Sequence, residues 1–344
     1  SAASDVYKRQ GYVHVIETDK PYVEILLALM WSWVLYGSLL LGASYVLLNS
    51  RRSKWTAHGK HVFITGGSQG LGLALAKLLA SRGAHVVICS RSESKLRSAL
   101  KDVESCRQYG SQHLSYVSAD VSNFSTVSLA IQKCSMPIDT VFCCAGAAHP
   151  GLFLNHTEEE FDKGIRLIYK TALCTAHAAA AYMKQNQIPG KIIFTGSVLS
   201  FMGMFGYSQY SPMKYAIRGL AECLRSELQM YGIQVHMYFP ATILSPGLEE
   251  ENKTKPALTL EIEGQDEGLS PEACAQHLLR GVESHEFSIT DGIIGLCLRI
   301  SSGGCAPGNR LLFDSILMVP ARWVLLAWRR FVADRTVRKH SCNK

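Results

Sequence analysis

Three polar residues in the second half of the chain are spaced for acid–base chemistry. Ser197, Tyr210 and Lys214 form the pattern Ser-x12-Tyr-x3-Lys. Because Tyr210 and Lys214 are four residues apart, a helix would place the phenol and the ammonium on one face. An ammonium nearby favours the phenolate, so the phenol can give a proton to a carbonyl oxygen or take one from an alcohol. The pattern predicts carbonyl–alcohol chemistry, with the Ser197 hydroxyl holding the reacting oxygen. The alternative is an ordinary tyrosine and lysine on an amphipathic helix.

A glycine-rich turn lies upstream of these residues, in the segment Thr-Gly-Gly-Ser-Gln-Gly-Leu-Gly at residues 65–72. It follows an apolar strand and opens a helix with periodic leucines, which is the context in which backbone amides meet phosphate at a helix N-terminus. The segment therefore predicts a dinucleotide site. The residues predicted to line it are Thr65, Gly66, Ser68, Gln69, Gly70 and Gly72.

Both motifs must be positioned by a regular framework, and the chain from residue 61 supplies one. Short β-branched or apolar runs alternate with helical stretches, a pattern typical of an α/β fold with a doubly wound parallel sheet. The predicted strands are His61–Thr65, His85–Cys89, Leu114–Ser118, Thr140–Cys144, Lys191–Thr195 and Gln234–Tyr238. The predicted helices include Leu71–Ser81, Ser94–Val103, Thr157–Met183 and Tyr210–Met230. We predict one catalytic domain over residues 58–290.

In this order and separation, the glycine turn and the Ser-Tyr-Lys set resemble the short-chain dehydrogenase/reductase family. The resemblance implies a Rossmann-type sheet and a nicotinamide cofactor. It implies that Tyr210 transfers a proton while hydride moves to or from the nicotinamide, and that Lys214 holds the ribose and tunes Tyr210. It also implies further cofactor contacts, to adenine from Asp120 and Val121, along the small residues Ala145 and Gly146, and to the carboxamide from Pro240, Ile243 and Ser245.

The end of the second strand distinguishes the two nicotinamide cofactors. A carboxylate there would accept hydrogen bonds from the ribose hydroxyls of NAD, but the strand ends in Ser90 and Arg91. A guanidinium at this place favours a 2′-phosphate, and Lys95 adds positive charge. The sequence therefore predicts NADPH, with a solvated loop residue as the alternative reading of Arg91.

Two positions depart from the family pattern. Cys144 stands where the family usually has an asparagine, and Ile168 stands where an asparagine commonly holds a water that relays protons to the lysine. Isoleucine cannot hold such a water. Either another group relays the proton, with Tyr169 the nearest polar candidate, or turnover is slow.

The N-terminal region concentrates the apolar residues of a chain whose mean hydropathy is +0.07. Residues 25–50 carry no charged side chain and are long enough to cross about 30 Å of hydrocarbon as a helix, so we predict a transmembrane anchor rather than a signal peptide. Arg51, Arg52 and Lys54 follow at once, which places the catalytic domain in the cytosol. We assign no function to residues 1–24, and whether the first ten of them are native sequence is left open.

The C-terminal extension, residues 291–344, is apolar but interrupted by charges such as Arg299 and Asp314. We predict a membrane-associated interfacial helix or shallow hairpin, with burial against the catalytic domain as the alternative. The net charge of +7 is spread along the chain, so nucleic acid is not an expected partner. The 11 cysteines include no CxxC pair, which predicts neither a disulfide framework nor a metal site. A homo-oligomer is left open.

Two further segments narrow the resemblance. Residues 144–153 and 245–256 resemble 3-ketodihydrosphingosine reductases, and the resemblance covers roughly residues 25–335. It implies NADPH-dependent reduction of a long-chain lipid ketone, 3-oxosphinganine, to sphinganine at the endoplasmic reticulum membrane, with the active site facing the cytosol. Two alternatives stay open. One is a membrane-bound steroid or retinoid dehydrogenase of the same family, and the other is a non-catalytic NADP(H)-binding membrane scaffold.

Overall fold

The computed structural model describes residues 54–264 and 267–341, together with residues 28–29, 31–33 and 36–37, which are helical. The rest of the predicted anchor at 25–50 and the whole segment 1–24 lie outside the described residues. The chain divides into two units after Ser53, and all of the predicted site residues belong to the second unit, Lys54–Lys344.

The second unit is built on a sheet of seven parallel strands in the order β3-β2-β1-β4-β5-β6-β7. Strand β1 lies inside the sheet and pairs with both β2 and β4, so Phe63 lies beside Val87 on one side and Val141 on the other. The chain winds outward from β1 in both directions, which confirms the predicted doubly wound α/β fold. The strands are β1 His61–Thr65, β2 His85–Ser90, β3 Leu114–Ser118, β4 Thr140–Cys143, β5 Lys191–Thr195, β6 Gln234–Phe239 and β7 Ser288–Thr290.

Helices cover both faces of the sheet because successive strand residues point to opposite sides. Phe63 belongs to the core layer under α3, α5 and α6, whereas Val62 and Ile64 belong to the layer under α1, α2 and α9. All three side chains are fully buried. The helices of this domain are α1 Gly70–Ser81, α2 Glu93–Ser105, α3 Phe124–Gln132, α4 Glu158–Gly164, α5 Thr171–Gln185, α6 Ser211–Glu227, α7 Pro246–Asn252, α8 Ala257–Glu263 and α9 Pro271–Glu283.

The six predicted strands are present, with ends that differ by at most one residue. Strand β7 was not predicted, because three residues are too few to show a period. The predicted helix over 157–183 is interrupted: α4 begins after a capping box formed by Thr157 and Glu160, and a π-helical segment, Ile165–Lys170, joins it to α5. Such segments are common at functional sites, and this one packs against α6.

The C-terminal extension is helical. Helix α10, Gly292–Ser302, packs against α11, Leu311–Trp328, and α11 continues through a π-helical segment into α12, Asp334–Ser341. A bidentate ion pair joins the two packed helices, with Arg299 nitrogens 2.7 and 2.9 Å from the Asp314 oxygens. One face of α10 is buried, but only 6% of the most apolar stretch of the helix Leu311–His340 is buried. In length and composition this helix is able to cross a membrane.

Candidate active site

The predicted site residues gather at the carboxyl edge of the sheet, where the chain order reverses between β1 and β4. This switch point is where doubly wound folds bind their ligands. The glycine turn follows β1, Ala145 and Gly146 follow β4, Ser197 follows β5, and Pro240 follows β6. Residues that are far apart in the sequence therefore meet at one edge.

The glycine turn is packed too closely for side chains. A Cβ added at Gly72 would lie 2.4 Å from the Gly66 carbonyl oxygen, and one added at Gly66 would lie 2.9 Å from the Ala145 amide nitrogen. Gly66 also has a φ of +70°, which L side chains rarely adopt. Thr65 joins the ends of β1 and β4, since its hydroxyl donates to the Phe142 carbonyl and accepts from the Ala145 amide, both at 3.3 Å.

The turn fits the phosphates of a dinucleotide. Helix α1 begins directly after Gln69, whose side chain does not cap it, so the first backbone amides of the helix are available to an anion. Ser68 lies in the same turn. Ser245 also belongs to this region, because its Cβ would be 3.3 Å from a Cβ added at Gly70. That contact brings Ser245 to the glycine turn, and Pro240 and Ile243 precede it in the same segment after β6.

The end of β2 is polar and positively charged. The buried hydroxyl of Ser90 has no hydrogen-bond partner within the protein, and Arg91 beside it is exposed. The Lys95 ammonium reaches the glycine turn and donates to the Gln69 side chain at 3.2 Å. The end of β2 thus combines an orphan hydroxyl with the cationic side chains of Arg91 and Lys95, and this chemistry fits a phosphate group.

Asp120 and Val121 follow β3 next to this charged end. Burial works to raise the pKa of Asp120, but hydrogen bonds from Ser122 and the nearby Arg91 and Arg166 hold it below its ordinary value. The carboxylate is therefore ionised at neutral pH. Val121 is buried in the core layer shared with Phe63.

The three predicted acid–base residues come together beside the turn. Tyr210 immediately precedes α6, and Lys214 lies in its first turn with the ammonium 5.4 Å from the centre of the Tyr210 ring. Ser197 begins the short 3-10 turn Val198–Ser200, and its hydroxyl accepts from the Leu199 amide at 3.1 Å. The Ser197 hydroxyl interacts with the phenol of Tyr210. The two hydroxyls therefore share one point at the carboxyl edge.

Burial sets the protonation of this group. Burial raises the pKa of Tyr210, the charge of Glu251 raises it further, and the hydrogen bond with Ser197 opposes both. Burial also lowers the pKa of Lys214 to about 8. At neutral pH the phenol is therefore a proton donor beside a largely protonated ammonium, an arrangement suited to protonating a carbonyl oxygen.

Thr195, the last residue of β5, is a site residue that the sequence analysis missed. Its carbonyl accepts from the Lys214 ammonium at 3.0 Å, and its hydroxyl donates to the Cys144 sulfur at 3.4 Å. Burial raises the pKa of the Cys144 thiol to about 11, so it stays protonated. Cys144 thus keeps a polar contact where the family has asparagine. The feature of the sequence that could have identified Thr195 is its position at the end of a predicted strand, two residues before Ser197.

Ile168, at the other departure from the family pattern, lies within the π-helical segment and is 1% exposed. It belongs to the same core layer as Ile217 of α6, and Tyr169 packs against that layer. Ile168 therefore fills space beneath α6. A proton relay through Tyr169 stays a prediction.

A cluster of charged residues beside Tyr210 was also missed. The Tyr207 hydroxyl lies 2.5 Å from a Glu251 oxygen and 2.9 Å from a Glu263 oxygen. The Lys255 ammonium lies 3.0 Å from Glu263 and 3.5 Å from Glu251. We call these four residues the lobe cluster, since three of them come from α7, α8 and the link between them. In the sequence its two glutamates and its lysine lie in and just after the segment 245–256, which entered the analysis above only through its resemblance to the 3-ketodihydrosphingosine reductases.

Comparison with known proteins agrees with this geometry. The family model described as short chain dehydrogenase matches residues 60–256. A 3-ketodihydrosphingosine reductase of Cryptococcus neoformans is 38% identical over 293 residues, which cover 84% of this chain and 87% of that protein. A 3-ketodihydrosphingosine reductase of Dictyostelium discoideum is 33% identical over 299 residues, covering 82% and 89%.

Solved structures share the fold. Levodione reductase superposes with a TM-score of 0.60 at 23% identity over 69% of this chain and 96% of that one. A short-chain dehydrogenase from Sphingobium yanoikuyae in complex with NADPH gives a TM-score of 0.60 at 22% identity over 78% and 95%. The chain belongs to the short-chain dehydrogenase/reductase family, and within it the chain is similar to the 3-ketodihydrosphingosine reductases.

Proposed function

We propose that this protein reduces the ketone of 3-oxosphinganine to the secondary alcohol of sphinganine, using NADPH. The observation that carries the proposal is the meeting of Ser197, Tyr210 and Lys214 at the switch point beside the glycine turn. The choice of substrate rests on the similarity of the chain to 3-ketodihydrosphingosine reductases.

The chain's own residues act on the carbonyl oxygen. Ser197 donates a hydrogen bond to that oxygen and fixes its position, and Tyr210 passes it the phenolic proton as the carbon–oxygen double bond becomes single. The bound cofactor supplies the hydride that joins the carbonyl carbon. Lys214, held by the Thr195 carbonyl, stabilises the phenolate that the proton leaves behind.

The alkyl chain of the substrate also finds a suitable surface. A groove of ≈ 450 Å³ lies beside Tyr207, between the start of α6, helix α8 and the C-terminal helix. Its apolar walls include Met204, Phe205, Pro212, Ile262 and Trp328. We place the long hydrocarbon of the substrate in this groove, close to the phenol that protonates its ketone.

The proposed location is the endoplasmic reticulum membrane, with the catalytic domain in the cytosol. The predicted anchor at 25–50 and the cations that follow it support this orientation. Exposed apolar side chains along α11, such as Ile316, Trp323 and Val324, support a second contact with lipid. A substrate that partitions into the bilayer would then reach the site without crossing water.

The reaction is tested with Tyr210→Phe in the purified full-length protein. Loss of the phenolic proton is expected to lower kcat for NADPH-dependent reduction of 3-oxosphinganine by roughly 10²-fold or more, with NADPH binding retained. Tyr231→Phe is the matched control, because Tyr231 lies in the short turn after the same helix, is 39% exposed and lines neither the groove nor the acid–base site, and it should keep its activity. Full activity in Tyr210→Phe would exclude the proposed role, and product analysis by mass spectrometry with steroid and retinoid ketones tests the substrate.

The choice of NADPH is tested with Arg91→Ala. Removing the guanidinium beside the orphan Ser90 hydroxyl is expected to lower the ratio of kcat/KM for NADPH over NADH by about 10- to 100-fold. Arg97→Ala is the control, since Arg97 is exposed on α2 and pairs with Glu93 at 2.7 Å. An unchanged ratio in Arg91→Ala would refute the assignment.

A further inference from the structure

The lobe cluster lies directly against the catalytic tyrosine. Tyr207 lies three residues before Tyr210, and the centres of the two rings are 5.8 Å apart. The Glu251 carboxylate touches the Tyr207 hydroxyl and is 18% exposed, so it borders the space beside Tyr210 without being open to bulk water. A charge in this position acts on whatever binds at the phenol.

The position of the cluster is fixed by several contacts. Thr259 of α8 is fully buried, and its hydroxyl donates to the Phe205 carbonyl at 3.1 Å. A Cβ added at Gly206 would lie 2.4 Å from that hydroxyl, so α8 sits close against the chain that leads to Tyr207. The Gly151 amide donates to the Gly206 carbonyl at 2.8 Å and holds the same stretch from the β4 side. These contacts fix α8, and with it Glu263, against the segment that leads to Tyr207.

The Tyr207 hydroxyl bridges the two carboxylates of the cluster. It has a single proton, and it lies within hydrogen-bond distance of both carboxylates. Only one of the two contacts can hold that proton at a time. Burial and the two neighbouring glutamates raise the pKa of Tyr207, so the hydroxyl keeps its proton. Tyr207 therefore donates to one carboxylate at a time, and the other depends on the Lys255 ammonium or on a further donor.

The charges of the cluster are also unequal. Glu251 and Glu263 together carry two negative charges, and Lys255 carries one positive charge on a side chain that is 4% exposed. Lys255 is nearer to Glu263, so Glu251 is the less neutralised of the two. The charge of Glu251 also adds to the raised pKa of Tyr210 and opposes the lowering of the Lys214 pKa by burial, so its field reaches the acid–base pair.

The proposed substrate carries the complementary group. In 3-oxosphinganine the carbon next to the ketone bears an ammonium, which offers three N–H donors and one positive charge. With the ketone oxygen held by Ser197 and Tyr210, the ammonium nitrogen lies two bonds away from the reacting carbon. We propose that Glu251 receives the ammonium of the substrate by an ion pair and hydrogen bond, and so selects 2-amino ketones over plain ketones. This inference rests on the proposed function.

The test compares two ketones of equal chain length in the full-length protein. One is 3-oxosphinganine, and the other is the 1-hydroxy-3-ketone that lacks the amino group. Wild type is expected to prefer the amino ketone in kcat/KM, and Glu251→Gln should lose about 10- to 100-fold of that preference, as expected for a hydrogen bond between charged groups. The rate with the plain ketone should change much less.

Glu263→Gln is the matched control. It removes the same charge from the same tyrosine hydroxyl but not the field on Tyr210, so the preference for the amino ketone should survive. Equal losses for both ketones in Glu251→Gln, or the same loss of preference in Glu263→Gln, would show that the cluster acts only through structure and would overturn the inference. Glu251→Asp keeps the charge and should keep the preference, and its loss there would also count against the proposal.

The wild-type measurement separates this inference from the function on which it rests. If wild type reduces neither ketone, the proposed function is wrong and the inference falls with it. If wild type reduces both ketones equally well, the function as a ketone reductase stands and the inference is overturned, whether or not any variant folds. NADPH binding, followed by fluorescence, identifies variants that have lost the fold.

Discussion

Lys214 carries its charge where burial opposes it. Its side chain is 7% exposed, and burial lowers its pKa from 10.5 to about 8. Burying this charge costs stability, but the ammonium lies 5.4 Å from the ring of Tyr210, where it favours the phenolate formed after proton transfer. The residue that assists the reaction is therefore one that weakens the fold, as is common at active sites.

This cost predicts a pH dependence of stability in Lys214→Met. Between pH 8 and 10.5 the unfolded chain binds a proton at Lys214 that the folded protein does not, so wild type gains stability as pH rises through this window. Methionine lacks the effect. The advantage of Lys214→Met in unfolding free energy should be largest below pH 8 and should shrink by about 2–4 kcal/mol by pH 10.5.

Urea unfolding of both proteins without cofactor at several pH values measures this difference. Lys133→Met is a suitable control, because Lys133 is an exposed residue that ends α3. A difference between wild type and Lys214→Met that did not change with pH would show that Lys214 titrates normally in the fold.

At the scale of elements, the glycine turn is a junction of three strands and a helix. A Cβ added at Gly66 would touch the backbone after β4, and one added at Gly67 would touch Ile88 of β2. A Cβ added at Gly72 of α1 would touch Gly66 itself. The turn owes its shape to these contacts as much as to its own residues. Its backbone amides can meet phosphate only because no side chains separate the elements.

Gly72→Ala is therefore expected to weaken NADPH binding by about tenfold or more, with a loss of about 1–3 kcal/mol of stability from overpacking. Gly219→Ala is the control, since a Cβ at Gly219 in α6 meets nothing within 4 Å. That variant should gain about 0.5–1 kcal/mol from helix propensity and bind NADPH normally. Fluorescence titration and urea unfolding measure both quantities, and normal NADPH affinity in Gly72→Ala would contradict this account of the turn.

At the scale of the whole molecule, the C-terminal helices extend the catalytic domain with an apolar surface. The ion pair of Arg299 and Asp314 is largely buried, with side chains 7% and 13% exposed, and ties α11 to the domain through α10. Arg329 adds a hydrogen bond to the Gly203 carbonyl at 2.9 Å, near the groove assigned to the alkyl chain. The long helix is thus held close to the route that the substrate would take.

If α11 contacts lipid, the fluorescence of Trp323 should be quenched by lipids that carry a quencher. This residue is 70% exposed, whereas Trp55 at the start of the domain is partly buried against the core. In proteoliposomes with brominated phospholipids, Trp323→Phe is expected to reduce the quenchable tryptophan fluorescence, and Trp55→Phe should leave it unchanged. Equal quenching in wild type and Trp323→Phe would place α11 away from the bilayer.

The amino-acid sequence by itself determined the strands, the glycine turn and the acid–base set. These features depend on local patterns: apolar runs for β1 to β6, fixed glycine spacing, and three residues between Tyr210 and Lys214. Such patterns are read within one element, so the sheet class and the residues at its carboxyl edge could be predicted without coordinates.

Only the tertiary structure decided what touches these residues. The contacts of Thr195 with Lys214 and Cys144, and the approach of Glu251 to Tyr210 by way of Tyr207, join segments far apart in the chain. The π-helical segment around Ile168 packs against α6, which also follows it at a distance in the chain. Their physical basis is packing, burial and unpaired charge, which depend on neighbours in space and leave no period in the sequence. Short motifs therefore specify the acid–base residues, but the fold that surrounds them sets their protonation.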